Sequence, residues 1–338
     1  MCSANPSNKK FHRIPGDFFH NGTYWVGWTD EARITKFETE FKLLPSDIIL
    51  TGYAKSGNTL LAEIVCLLLA SEGCESKLSE AINWVESVPI YVRVPFVEEL
   101  FKLRVPQLDH EIYAMEYLDW MRECGQFEGR RLIKTHLTWD SLKCALNRMD
   151  QTELPRIVYV YRNPKDASVS MFNFYRAIAE CGPYKGDWNE FFQMWIDGCI
   201  SGGDWRIVVR DWLLQAKNPS DIRGSTNILP ISYERLVRDP WKCVHDLHGF
   251  LFPNARMDHK VAEVIVERTS FNRMRENKMT NYENVAGIEP SFRFMRSGKI
   301  GDWKNWFTVA QNEQFTKEYE STLKELNELL APDEIIFE

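Results

Sequence analysis

The stretch that decides the fold is IILTGYAKSGNTLLAEIV, at residues 48–65. An apolar run at 48–50 precedes a turn of small residues and a second apolar segment, so the stretch predicts a strand, a tight loop and a helix. Such a junction points backbone N–H groups and the positive end of a helix dipole at one place, which suits an anion. Lys55 adds a mobile cation, while Gly52 and Gly57 allow a tight turn and the close approach of a ligand. The stretch therefore predicts a P-loop-like site for a phosphate group.

The loop differs from the triphosphate-binding motif G-x-x-x-x-G-K-[ST]. Lys55 comes before Gly57, and Asn58 stands where that motif has its lysine. Taken by itself, the segment is equally compatible with an ordinary strand–helix turn that binds nothing.

Bulk composition limits the classes of function. The chain has 338 residues, 44% of them hydrophobic and 13% aromatic, which is typical of a globular protein with a substantial core. A net charge of −7 argues against a nucleic-acid binder, so an anionic ligand would need a local cluster of cations. The polar start, MCSANPSNKKFHRIPG, the short apolar run at 64–70 and eight scattered cysteines without a C-x-x-C pair favour a cytoplasmic protein with reduced thiols and no membrane span.

The order of segments predicts an α/β fold. We expect strands at 48–50, 131–134, 157–161 and 227–231, and helices at 58–71, 164–180, 188–199, 204–217, 241–252 and 258–267. Strands separated by helices imply a central parallel sheet flanked by helices, with ligands beyond the carboxyl ends of the strands. We expect a partly flexible N-terminal segment at 1–36 that is able to line an acceptor pocket, one domain at 37–330 and a tail at 331–338. Residues 71–129, which include Val94-Pro95-Phe96, are interpreted as loops and short helices that form either a lid or apolar pocket wall, or plain packing.

Two strand ends carry groups suited to catalysis. The second strand ends in Lys134-Thr135-His136, which places a cation and a candidate base on the same side of an extended chain. The alternative is a histidine that merely caps a strand end. The third strand ends in Arg162, where a triphosphate-using enzyme would carry an Asp for Mg²⁺, and Ser170 follows in the next helix. Because Arg can hold a phosphate bidentately, a metal-free anion site is the better interpretation.

A loop far downstream resembles a second phosphate cradle. Residues 294–303 read FMRSGKIGDW, with Arg296, Gly298 and a second cation, Lys299. A solvated loop is the alternative for this segment alone.

Together, these segments resemble the cytosolic sulfotransferase family over about 37–313. The motifs that carry the resemblance are YAKSGNT at 53–59, KTHL at 134–137, YRNPKDASVS at 161–170, SYE at 232–234, TSF at 269–271, MTNY at 279–282 and R-x-G-x-x-G-D-W at 296–303. The resemblance implies a PAPS-dependent sulfotransferase, in which 3′-phosphoadenosine 5′-phosphosulfate (PAPS) is the co-substrate and no metal is used. The implied acceptor is a hydroxyl or amine of a small, largely apolar molecule such as a phenol, sterol or aryl amine.

The resemblance also implies the roles of individual residues. His136 is the implied general base, with Lys134 and Lys55 beside the transferred group. The implied donor-binding set is Lys55, Ser56, Gly57, Asn58, Thr59 and Leu60 around the 5′-phosphosulfate end, Arg162, Ser170, Arg296, Ser297 and Gly298 at the 3′-phosphate, and Tyr233, Thr269, Ser270 and Phe271 around adenine. Leu60 departs from a common family Trp that stacks on adenine, and Ser297 departs from a common Lys, which puts donor affinity in doubt more than activity.

One further motif bears on assembly. Residues 304–313, KNWFTVAQNE, fit the family's short dimer motif K-x-x-x-T-V-x-x-x-E from Lys304 to Glu313, which implies a homodimer. The alternative is a loop before the C-terminal helix.

The acceptor remains open at the level of sequence. Candidate wall residues, each of which taken singly is better interpreted as core, are Phe18, Phe19, Tyr24, Trp25, Trp84, Val88, Ile90, Phe96, Phe174 and Tyr175. No acidic residue can be assigned to an amine. The rival functions are a P-loop kinase that uses ATP and Mg²⁺, a catalytically silent binder of a nucleotide or hydrophobic hormone, and an enzyme whose sulfated allylic product loses sulfate, for net dehydration.

Overall fold

The backbone is described for residues 16–105, 107–149, 153–177, 183–217, 227–282 and 292–330 of a computed structural model. The predicted tail at 331–338 and the first 15 residues of the predicted N-terminal segment lie outside these ranges.

Strands and helices alternate through most of the chain. The strands are β1 (Phe18–His20), β2 (Thr23–Trp25), β3 (Ile48–Gly52), β4 (Leu132–Thr135), β5 (Arg156–Tyr161) and β6 (Ile228–Ser232). The helices are α1 (Glu31–Thr39), α2 (Asn58–Ser71), α3 (Glu75–Ser87), α4 (Ile90–Arg93), α5 (Ala114–Glu123), α6 (Trp139–Asn147), α7 (Pro164–Tyr175), α8 (Trp188–Ile196), α9 (Trp205–Lys217), α10 (Tyr233–Arg238), α11 (Pro240–Leu251), α12 (His259–Arg268), α13 (Phe271–Glu276) and α14 (Val309–Leu329). Short 3₁₀ turns lie at Gln126–Gly129 and Asp302–Asn305.

The central sheet confirms the predicted α/β class. Within the described residues it has four parallel strands in the order β4-β3-β5-β6. The chain leaves β3 towards β4 on one side, and it leaves β5 towards β6 on the other. The loops after β3 and β5 therefore diverge, which makes the crevice between them the topological switch point where ligands bind in such sheets.

Alternate side chains of the strands face two separate apolar clusters. Ile49, Ile133 and Ile157 face one cluster. Ile48 and Leu50 face the other, together with most of α2. Because both faces are covered, the strands are continuous apolar runs, as parallel strands usually are. The polar residues that follow them are thus held at one rigid edge of the sheet.

The elements that we predicted agree with the structure to within about five residues at their ends, but others were not predicted, among them the helices α1, α6, α10 and α13. Residues 71–129 contain longer helices than we expected, α3 with 13 residues and α5 with 10. A short hairpin of β1 and β2 was also not predicted. Helix α7 ends at Tyr175, earlier than the expected 180, although 178–180 lie outside the described residues. None of the helices in the described ranges has the length and apolar character needed to cross a membrane.

Candidate active site

The loop after β3 has the backbone shape of an anion cradle. Lys55 adopts φ 67° and Gly57 φ 100°, and Gly57 precedes α2 without any side-chain cap. A Cβ on Gly57 would lie 2.6 Å from Cδ2 of Tyr233, so only glycine fits here. Ser56 Oγ and Asn58 Oδ1 are buried without a hydrogen-bond partner in the described residues. Unpaired buried oxygens and free helix N–H groups indicate a site built for an outside ligand.

Lys55 is held between two aromatic rings. Its Nζ lies 4.0 Å from the ring centroid of Phe174 and 4.1 Å from that of Phe294. Burial, reinforced by repulsion from Arg162 and Lys134, lowers the pKa of Lys55 to about 7. An anion bound next to Lys55 would restore the charged form, because opposite charge favours ionisation.

Arg162 joins the loop after β5 to the cradle. Its Nη1 donates to the carbonyl oxygen of Lys55 at 3.2 Å, and its guanidinium carbon lies 4.3 Å from the Tyr233 ring centroid. Its Nε is buried without a partner in the described residues. One edge of this guanidinium therefore holds the loop in place while the other is available for an anion.

The second predicted cradle, at 296–303, is fastened to α7. Asp166 accepts hydrogen bonds from the backbone N–H groups of Gly301, at 2.7 Å, and Trp303, at 3.0 Å. Gly298 has φ 65°, and a Cβ there would meet the Phe271 ring at 2.2 Å. Arg296 pairs with Asp302. The Asp166 carboxylate therefore joins two parts of the site that are far apart in the chain.

His136 is fixed by two hydrogen bonds. Its Nδ1 lies 2.7 Å from the carbonyl oxygen of Gly52, and its backbone N–H donates to Glu98 Oε1 at 2.6 Å. A carbonyl oxygen only accepts, so Nδ1 carries the proton and Nε2 keeps its lone pair. Burial, with repulsion from Lys134 and Lys55, lowers the pKa of His136 to about 4. The imidazole is therefore neutral at pH 7 and able to take a proton.

Lys134 lies behind this histidine rather than on the cavity wall. The side chain is buried, its Nζ lies 4.1 Å from the Phe96 ring centroid, and it donates to the Tyr282 hydroxyl at 3.3 Å. This contact joins the end of β4 to the MTNY motif at 279–282, and the sequence did not predict that the two motifs meet.

One cavity of about 1100 Å³ collects most of the predicted site. The predicted residues that line it are Lys55, Gly57, Asn58, Thr59, Leu60, His136, Arg162, Ser170, Tyr233, Thr269, Ser270, Phe271, Arg296, Ser297 and Gly298. Ser56 and Lys134 are not part of its lining. A cavity lined by two anion-binding loops, a neutral histidine and apolar side chains suits the transfer of a group from an anionic donor to an apolar acceptor.

The apolar region is only partly the one we expected. Of the candidate wall residues, Trp25, Phe96 and Phe174 line the cavity. Phe18, Phe19, Tyr24, Trp84, Val88, Ile90 and Tyr175 do not. Lining residues that we did not name as wall candidates include Val26, Trp28, Tyr91, Glu98, Glu99, Phe101, Leu103, Tyr282 and Phe294. Several of these follow the Val94-Pro95-Phe96 stretch that we had interpreted as a possible pocket wall, so the region was indicated but its members were not.

No cluster of three or more His, Cys, Asp or Glu side chains that could hold a metal ion occurs in the part of the chain that the structure describes.

Comparisons with known proteins agree with this geometry of a group-transfer enzyme. A family model described as the Sulfotransferase domain matches residues 45–327, and the chain belongs to that family. Cytosolic sulfotransferase 1 of Danio rerio is 36% identical over 286 residues, which cover 84% of this chain and 85% of the relative. Sulfotransferase 1A1 of Rattus norvegicus is 32% identical over 289 residues, covering 84% and 86%. The predicted family and enzyme class, a sulfotransferase, are thereby confirmed.

Two solved structures share the fold. A mouse sulfotransferase complexed with PAP is 23% identical with a TM-score of 0.66, covering 93% of this chain and 97% of the other. Retinol dehydratase in complex with androsterone and the inactive cofactor PAP is 20% identical with a TM-score of 0.71, covering 98% and 97%. At these identities the likeness establishes the architecture, a parallel sheet flanked by helices.

Proposed function

We propose that this chain transfers a sulfuryl group from PAPS to the hydroxyl or amine of a small, largely apolar acceptor, with His136 as the general base. The observation that carries the proposal is the neutral His136 in one cavity with the Lys55 loop. Its Nδ1 is committed to Gly52, so Nε2 is the atom available for the acceptor proton. Family membership supplies the reaction class.

The residues around the cradle fit the donor. PAP, 3′-phosphoadenosine 5′-phosphate, is the PAPS molecule without its sulfuryl group, and solved relatives hold it. In this chain the unpaired oxygens of Ser56 and Asn58 and the free Nε of Arg162 are suited to an anion. We assign the 5′-phosphosulfate to Lys55 and the N-terminus of α2. We assign the 3′-phosphate to Arg162, Ser170, Arg296, Ser297 and Gly298, and the adenine to Tyr233, Thr269, Ser270 and Phe271.

The chemistry follows from these assignments. The acceptor oxygen gives its proton to Nε2 of His136 while it attacks sulfur in line, and the S–O bond to the 5′-phosphate breaks. Negative charge grows on the departing phosphate oxygen, next to Lys55. A cation placed there stabilises the transition state more than the ground state. Because Lys55 has a pKa of about 7 without an anion, growth of negative charge beside it also favours its protonated form.

A binding measurement separates this proposal from the kinase alternative. We expect calorimetry to show PAP binding that needs the 3′-phosphate, so that 5′-AMP binds far more weakly, and that is unaffected by Mg²⁺. Equal or tighter binding of ATP with Mg²⁺ would overturn the donor assignment.

Turnover of a histidine variant separates an enzyme from a silent binder. We expect His136→Ala to bind PAP normally but to lose about 10²- to 10⁴-fold in kcat, the usual contribution of a positioned base. His110→Ala, at an exposed histidine, is the matched control and should retain activity. An unchanged kcat in His136→Ala would remove this residue from the mechanism. Mass analysis of the product identifies a sulfated or a dehydrated molecule.

We further propose a cytosolic homodimer formed through residues 304–313. Within this segment, Thr308 and Gln311 form a capping box that fixes the start of α14. Val309, in the first turn, is 77% exposed, the highest value among the large hydrophobic side chains of the described residues. A second copy of the chain would remove that surface from water.

A further inference from the structure

Two adjacent carboxylates, Glu98 and Glu99, lie in the cavity lining, and they differ in their partners. Glu98 accepts from the His136 backbone N–H at 2.6 Å and from Thr135 Oγ1 at 3.0 Å, so its role is to support the histidine. The Glu99 side chain makes no hydrogen bond or ion pair with the described residues, and no role has been given to it so far.

The position of Glu99 is fixed by its backbone. Its N–H donates to the carbonyl oxygen of Phe96 at 3.3 Å, and it forms an isolated antiparallel bridge with Thr29. The Phe96 ring lies 4.6 Å, between centroids, from that of His136. Phe96, whose ring lies beside His136, and Glu99 therefore belong to the same turn. Because a turn brings residues i and i+3 close together, Glu99 lies near the candidate base.

Glu99 is half-buried, so water in the cavity is able to hydrate its carboxylate until an acceptor displaces that water. An acceptor that gave the carboxylate no hydrogen bond in return would leave a polar group unpaired, which is unfavourable. Two fully buried acids of the fold are paired within the chain, Asp47 with Arg131 and Glu63 with Arg93. Lys102 also lines the cavity, but its Nζ lies 5.0 Å from the Tyr113 ring centroid and it forms no ion pair with Glu99 in the described chain.

We propose that Glu99 is a specificity-determining residue that binds a protonated amine on the acceptor, so the chain prefers hydroxyl acceptors with a basic aliphatic amine over neutral ones of equal size. This inference rests on the proposed function, because the acceptor hydroxyl is taken to face His136 while the amine faces Glu99. A neutral sterol-like acceptor would leave the carboxylate unpaired among apolar atoms. An amine supplies both a counter-charge and hydrogen-bond donors.

The preference should depend on pH. Burial raises the pKa of Glu99 to about 7; Glu98 raises it further, and Lys134 opposes the increase. Other ionisable groups in the same lining are Lys55, Tyr91, Glu98, Lys102, Arg104, His136, Arg162, Tyr233, Tyr282 and Arg296. Glu99 is ionised above pH 7 and neutral below it, while an aliphatic amine of pKa near 10 is charged throughout. Preference for the amine should therefore grow from pH 6 to pH 8.

The test uses the full chain loaded with PAP and two matched phenols, tyramine and 4-ethylphenol, which differ only in the amine. Calorimetry at pH 8 should show tyramine binding about 10-fold or more tightly than 4-ethylphenol, the scale expected for one buried charge-assisted contact. In Glu99→Gln, which keeps the shape, the two affinities should become equal and stay so at pH 6. Glu111→Gln, at an exposed position, is the control and should keep the preference.

The outcomes are distinct. Equal binding of the two phenols to the unmodified chain, or a preference that survives in Glu99→Gln, would overturn the inference. A preference for the neutral phenol would do so as well, since it would indicate a protonated Glu99 bonded to something else. The experiment measures binding and needs no turnover. Failure to sulfate either phenol would therefore count against the proposed function, while the binding data would still test the role of Glu99. Unchanged PAP affinity in Glu99→Gln shows that the variant is folded.

Discussion

Burial changes the ionisation of two residues to which the proposed reaction gives opposite roles. The pKa of His136 is lowered to about 4, which makes it a base that is already neutral at pH 7. The pKa of Lys55 is lowered to about 7, which makes it a cation that is only partly charged until an anion arrives. Burial therefore keeps His136 neutral and able to accept a proton, and it makes the full charge of Lys55 depend on a bound anion.

Lys55 gives a prediction for donor binding. In the free chain it loses its proton above about pH 7, and a bound 5′-phosphate raises its pKa again, so the complex binds more protons than the free chain. PAP affinity should therefore fall as pH rises above 7, by up to about tenfold per pH unit. Calorimetry at pH 8 in two buffers of different ionisation enthalpy should show proton uptake.

The matched variant for this measurement is Lys55→Met, which keeps an unbranched apolar stem. It should bind PAP more weakly and take up less of a proton at pH 8. Uptake that is equal in Lys55→Met would place the titrating group elsewhere in the cavity.

Leu60 gives a second residue-scale prediction. It lines the donor end of the cavity from the first turn of α2, where the resembling family commonly has Trp. Aromatic stacking contributes about 0.5–1.5 kcal/mol beyond area burial. Leu60→Trp should therefore bind PAP about 2- to 10-fold more tightly, and Leu60→Ala more weakly, by calorimetry. A Trp variant that binds no better would indicate that another residue already covers the adenine.

At the scale of single residues, the sequence was most informative where chemistry follows a strand. Lys55, His136 and Arg162 each lie within three residues of the end of a strand, so their convergence could be predicted from the topology of a parallel sheet alone. Glu99 and Tyr282 could not be predicted in the same way. Each faces the cavity from a segment outside the sheet, and only the tertiary fold determines what its side chain meets.

At the scale of elements, α7 supports the loop that carries Arg296 and Gly298. Asp166 holds that loop through two backbone N–H groups, at 2.7 and 3.0 Å. Hydrogen bonds to a charged group contribute about 1.5–3 kcal/mol each. Asp166→Ala should therefore loosen the loop and weaken PAP binding by about 10-fold or more, while 5′-AMP, which lacks the 3′-phosphate, should bind as before.

The ratio of the two affinities is the decisive quantity for Asp166. A general loss of folding would weaken both nucleotides alike, whereas loosening of this loop affects only the one with a 3′-phosphate. Asp197→Ala, at the end of α8, is a suitable control outside the donor site. Equal losses for PAP and 5′-AMP would show that Asp166 does not act through the loop.

Strands and helices were predicted well where their apolar pattern is continuous. They were predicted poorly where the signal is a turn dipeptide or an interrupted helical stripe. The strands of the sheet are apolar runs, and each was predicted to within two residues at either end. The β1–β2 hairpin turns at Asn21-Gly22, with φ 46° and 81°, and such a dipeptide is a strong hairpin signal that we did not weigh. In α3, Leu78, Ala81 and Val85 form a helical stripe that the surrounding aromatic and proline residues obscured.

At the scale of the whole molecule, the cations of the site contrast with the negative net charge of the chain. The chain carries a net charge of −7, yet the crevice between β3 and β5 collects Lys55 and Arg162. An anionic donor is thus attracted by a local field rather than by the molecule as a whole. The strand order produces this concentration, because it directs the loops after β3 and β5 away from each other and leaves the crevice open between them.

Assembly gives the last prediction, and Val309 is the residue to change. It lies in the first turn of α14, where an acidic side chain suits the helix dipole, so Val309→Glu should leave the helix intact. The same change would place a charge in the proposed interface. Sedimentation should therefore show a single chain of 39.6 kDa for Val309→Glu and twice that mass for the unmodified protein.

The control for Val309→Glu is Lys317→Glu, which is exposed on the same helix but lies outside 304–313 and should remain a dimer. A Val309→Glu dimer would exclude this segment as the interface, and an unmodified monomer would exclude the dimer itself.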